Sequence, residues 1–166
     1  MEAGSHIIVE DSRFVDCGTA GGGGAICMFN DGVDNRLTAR RVTMLRCISE
    51  AGGGGGFIAA GVVTLMDTQF IDCTAVNGGM CYLFSTARVS MSGGIIERCS
   101  NHDLSGATPV SAVWIAGARA VFTGVTAIDC VSSVASPNSA IRMTAGARGQ
   151  LSEHPAGESD SSAAGH

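Results

Sequence analysis

Phe70-Ile71-Asp72-Cys73 is one of five segments that end alike. The others are Phe14-Val15-Asp16-Cys17, Met44-Leu45-Arg46-Cys47, Ile96-Glu97-Arg98-Cys99 and Ala127-Ile128-Asp129-Cys130. Successive cysteines lie 30, 26, 26 and 31 residues apart. A period in that range marks a stacked repeat architecture. Upstream of each cysteine, apolar residues recur ten and eight places before it: Ile7/Val9, Leu37/Ala39, Val63/Leu65, Val89/Met91 and Ala120/Phe122. Residues two apart share one face of a strand. Three places before the cysteine stands a further apolar column: Phe14, Met44, Phe70, Ile96 and Ala127. Downstream come the glycine runs 21–24, 52–56 and 78–79. A second apolar strand then follows, at Ala25–Met28, Phe57–Ala60, Met80–Leu83, Trp114–Gly117 and Ala140–Met143. No 3.6-residue period runs long enough to compete.

No single repeat can bury its apolar face alone. Stacking repeats in parallel, about 4.8 Å apart, places like residue over like and builds one continuous core. The pattern therefore predicts an all-β chain, a right-handed parallel β-helix of about five coils, the hand being the strong default for parallel crossovers. Residues 1–6 are expected to be a leader and 7–148 the β-helix. Residues 149–166, rich in Ser, Gly, Ala and Glu, are expected to form a flexible tail. In this alignment Cys81 shares a column with Ile26 and Ile58 and should face inward. Cys27 shares one with Ala59 and Tyr82 and should face outward, and Trp114 aligns with Phe57 and Ala25. Longer inserts at 101–111 and 132–138 are expected side by side along one edge.

The Phe-x-x-Cys segments and the Gly23-Gly24-Ala25-Ile26 and Gly78-Gly79-Met80 strands resemble the chlamydial polymorphic outer-membrane protein repeat, over about residues 7–145. That family's hallmarks are Phe-x-x-Asn and Gly-Gly-Ala-Ile on a parallel β-helix. The resemblance implies a surface, adhesion-type protein, extracellular or at the cell surface. The departure is a column of Cys17, Cys47, Cys73, Cys99 and Cys130 where the family stacks asparagine. Small apolar packing is expected in place of the amide-to-backbone hydrogen bonds. The family's membrane-inserting barrel has no counterpart in this sequence.

The residue before each of these cysteines alternates in sign: Asp16, Arg46, Asp72, Arg98, Asp129. One repeat apart, unlike charges pair and like charges repel, so this column should fix the stacking register. Six places before the cysteine stand Asp11, Arg41 and Asp67, the best available candidate ligand surface. The neighbouring column offers no second row of carboxylates for a hydrolase, so no catalytic residue is assigned. Without any lysine the chain cannot form a P-loop. The cysteines lack zinc spacing, the histidines are scattered, and the oxygen-rich 30–35 segment lacks an EF-hand pattern. Neither metal nor cofactor is expected.

The net charge of −5, with Arg40–Arg41 as the sole basic pair adjacent in sequence, argues against nucleic acid. No apolar run is long enough to span a bilayer as a helix. The expected function is a non-catalytic structural or interaction module. It would be an adhesin-like repeat segment, or an accessory subunit of an intracellular or organellar assembly, with a protein partner at an open helix end or along the loop-bearing edge. The alternative is a carbohydrate-active enzyme or carbohydrate-binding β-helix.

Overall fold

The computed structural model describes residues 4–28, 35–50, 54–76, 78–84, 87–101, 111–116, 118–130, 141–143 and 148–152. The chain follows one path repeatedly. It begins with β1 (His6–Glu10), β2 (Arg13–Val15), β3 (Gly18–Thr19) and β4 (Ile26–Met28). The path returns as β5 (Arg36–Arg40), β6 (Thr43–Leu45), β7 (Ile48–Ser49) and β8 (Phe57–Ala59). Next come β9 (Val62–Met66), β10 (Gln69–Ile71), β11 (Thr74–Ala75) and β12 (Gly78–Phe84), then β13 (Arg88–Ser92), β14 (Ile95–Glu97), β15 (Ser100–Asn101) and β16 (Ser111–Ala116). β17 (Arg119–Thr123), β18 (Thr126–Ile128), β19 (Ile141–Met143) and β20 (Arg148–Ser152) complete it.

Each strand pairs in parallel with its equivalents one repeat before and after. Four sheets result: β1-β5-β9-β13-β17-β20, β2-β6-β10-β14-β18, β3-β7-β11-β15 and β4-β8-β12-β16-β19. The molecule is an all-β parallel solenoid, without helix among the described residues. The first sheet has the register of the sequence columns: Leu37 over Val63, Val63 over Val89 and Val89 over Ala120. In this sheet inward side chains alternate with outward ones. Leu37, Ala39, Val63, Leu65, Val89 and Met91 are buried, as are Met44, Phe70 and Ile96 of the second sheet.

Three findings correct the expectations. The solenoid has about three turns rather than about five, its buried interior running from Ile26 and Met28 of β4 to Ala120 and Phe122 of β17. In the first turn Ile7 is exposed and Val9 and Phe14 only half-buried, and Ala127 is exposed at the other end. Secondly, β20 pairs with β17, so residues 149–152 continue a sheet instead of starting the tail. Thirdly, the second apolar strands are shifted by one residue in places. Cys81 stands over Phe57, not Ile58, and next to Val113. Cys27 stands over Ile58, not Ala59, in the column of Tyr82 and Trp114. The expected facing of both cysteines survives, since Cys81 is buried and Cys27 exposed. Residues 102–110 and 132–138 of the expected inserts, the 30–34 segment and residues 153–166 lie outside the described residues.

The glycine run explains the shift. Five consecutive glycines at 52–56 carry no side-chain signal with which to set a register. Gly24, Gly55 and Gly79 prove to be one column. A Cβ on Gly55 would lie 2.4 Å from the Gly79 carbonyl and 2.6 Å from the Thr74 nitrogen. On Gly79 it would lie 2.3 Å from the Ser100 nitrogen. These glycines let backbone meet backbone, closing the cross-section where no side chain fits.

Candidate functional site

Two corners of each turn carry the chemistry-bearing residues. The chain bends after the first strand at Asp11, Arg41, Asp67, Gly93 and Gly124, and after the second at Asp16, Arg46, Asp72, Arg98 and Asp129. All ten have positive φ, from 47° at Asp11, Arg98 and Asp129 to 64° at Gly93. A single left-handed residue turns a strand sharply. It is easy for glycine, tolerable for Asp and unfavourable for Arg. The bend does not interrupt the hydrogen-bond rows between turns. Asp11 N donates to Arg40 O (3.0 Å), Arg41 N to Met66 O (3.0 Å) and Arg46 N to Ile71 O (2.9 Å).

Forced together at equal corners, the alternating charges pair two by two. Arg46 clamps Asp16 through Nε–Oδ1 (2.6 Å) and Nη2–Oδ2 (2.7 Å). Arg98 clamps Asp72 (2.6 and 2.9 Å) and also contacts Glu97. At the first corner Arg41 clamps Asp11 (2.6 and 2.8 Å). Each arginine reaches back to the preceding turn. Asp67 and Asp129 join no ion pair with a described residue; Asp67 lies over Gly93, where an added Cβ would meet its Oδ1. Thus the proposed trio Asp11, Arg41 and Asp67 is brought together only in part. The hydrogen bond from the arginine, with its charge, holds the carboxyls of Asp11, Asp16 and Asp72 below the ordinary range, despite some desolvation. The pairs are well exposed, so water and salt screen them.

Behind the second corner stand the five cysteines. All seven cysteines of the chain are unbridged, and Cys47, Cys73 and Cys99 are buried. Their thiols do more than pack. Cys73 Sγ reaches Met44 O (3.4 Å), Cys99 Sγ reaches Phe70 O (3.5 Å) and Cys130 Sγ reaches Ile96 O (3.4 Å), each on the preceding turn. Each thiol also reaches the carbonyl two residues back, as Cys99 Sγ does to Glu97 O (3.5 Å). The expectation that backbone hydrogen bonding is lost with asparagine is therefore corrected. A weak S–H donor still tethers successive turns. The neighbouring Cys73 thiol, then burial, pushes the Cys47 thiol up, and burial alone does so for Cys81.

The left-handed corners were missed at the sequence level. Their signal was present, because the two fixed offsets hold mainly Asp and Gly, the residues that tolerate positive φ. Among the described residues no three of His, Cys, Asp and Glu gather as metal ligands, and no helix is long and apolar enough to cross a membrane. No family model matches the chain, and no curated protein or solved structure is significantly similar to it.

Proposed function

We propose that the chain is a non-catalytic interaction module, an adhesin-like repeat segment or accessory subunit that joins a larger assembly through an end of its solenoid. The observation that carries this reading is the open first turn. β1 has β5 on one side and no described strand on the other. Ile7, in the same inward column as fully buried Leu37, is 45% exposed. A strand edge above an apolar cross-section is a template for a further strand, from a partner, a second copy or a further part of a longer parent chain. The paired corners favour the same reading: Arg41 is held by Asp11, and a carboxyl held below its ordinary range is poorly tuned as a general acid. The likeness to chlamydial surface repeats favours an extracellular or surface location, with the cysteine column as a buried, reduced ladder.

Light scattering over a concentration series tests the reading. The expected result is association that grows with concentration and is abolished by Ile7→Lys, which sets a charge in the uncovered section. A concentration-independent wild-type monomer with cooperative unfolding overturns it.

A further inference from the structure

The outward face of the six-stranded sheet holds a feature that sequence order conceals. His6, Arg36, Val62, Arg88, Arg119 and Arg148 occupy one register position across its six strands. Arg36, Arg88 and Arg119 are exposed, and none forms an ion pair with a described residue. Arg40, Arg41, Arg46 and Arg98 all clamp a carboxylate instead. Arg88, Arg119 and Arg148 stand on three successive turns, about 4.8 Å apart along the axis. Like charges directly opposite one another destabilise a sheet. Among the described residues no carboxylate pairs with them, and the outward positions of β9, β13 and β17 hold none. Beside the arginines those positions hold hydroxyls, Ser90 and Ser92 on β13 and Thr123 on β17, all exposed.

We propose that this face binds a linear acidic polysaccharide, a chain bearing carboxylates or sulfates, laid along the solenoid axis across β13, β17 and β20. Three observations choose this occupant. Exposed guanidiniums of Arg88 and Arg119 repeat from turn to turn with no ion-pair partner among the described residues, a row of charge that a linear polyanion complements. Arginine forks carboxylate and sulfate oxygens in two-point contacts, and the serine and threonine hydroxyls match sugar hydroxyls. An extended acidic peptide is a poorer fit. It meets the guanidiniums through carboxylates but offers few hydroxyls to Ser90, Ser92 and Thr123. Single-stranded nucleic acid is poorer again, since the outward positions of these strands carry no aromatic residue on which bases could stack. The site lies on a side of the solenoid and does not depend on the open end.

The test measures binding of the full chain to sodium polygalacturonate and to dextran sulfate, with neutral dextran and a single-stranded oligonucleotide as controls. Binding to one or both polyanionic sugars is expected, weakening as salt rises, with none to neutral dextran. Whichever polyanion binds identifies the anionic group. The double variant Arg88→Gln/Arg119→Gln should bind roughly tenfold more weakly, whereas Arg13→Gln, on β2, should bind as wild type. Relief of like-charge repulsion should leave the double variant at least as heat-stable as wild type at low salt. Ser90→Glu, which adds a carboxylate beside the row, is a second route to the same loss. Failure of the wild type to bind either polyanion, binding unaffected by the double variant, or equal binding of the oligonucleotide overturns the proposal.

Discussion

At the scale of the residue, the closest tolerances belong to glycine and cysteine. Gly79 faces the backbone of Ser100 on the next turn, and neither side can yield without breaking a hydrogen-bond row. Gly79→Ala should destabilise the fold by about 3 kcal/mol. Gly21, exposed and with nothing closer than 4.0 Å to an added Cβ, should accept alanine within about 0.5 kcal/mol. Denaturant unfolding of the two variants separates a spacer glycine from a mere turn glycine. The thiols give a second residue-level check. A small maleimide under native conditions should label exposed Cys27 fast and buried Cys47, Cys73, Cys81 and Cys99 slowly. Rapid labelling of Cys73 would mean that the inward side of the second corner has been misassigned.

At the scale of the element, the corner pairs couple one turn to the next, and their contribution depends on pH with a definite sign. The folded-state carboxyls of Asp11, Asp16 and Asp72 titrate below their unfolded values. Their stabilisation is therefore complete above about pH 4 and is lost as pH falls through the lowered folded values. The Asp11→Asn/Asp16→Asn/Asp72→Asn variant keeps residues that accept the left-handed bend while losing the charges. Its melting temperature should fall less steeply than that of wild type below about pH 4, and an unchanged slope would remove the pairs from the acid response. Strand alternation was legible in the sequence because inward residues such as Leu37, Val63 and Val89 differ sharply from their neighbours. The charged corners were legible only as a column. Alternation of sign says that Arg46 has carboxylates on both sides, but not that it takes Asp16. Least legible was the arginine row, because residues from 26 to 31 positions apart become neighbours only once the strand register is fixed.

At the scale of the whole molecule, the solenoid is a cross-section repeated along an axis, and variation in repeat length is confined to the span between a cysteine and the next long strand. Length and cross-section are thus independent, yet the corners impose parity. Signs at the second corner alternate from turn to turn, so its true period is two turns. Removing residues 36–61, one turn, would set Asp16 over Asp72 and Asp11 over Asp67. Removing 36–87, two turns, would set Asp16 over Arg98. The one-turn deletion should gain in melting temperature as salt is added, whereas the two-turn deletion, whose second corner pairs unlike charges, should not. A chain of this kind can lengthen or shorten cheaply only by an even number of turns.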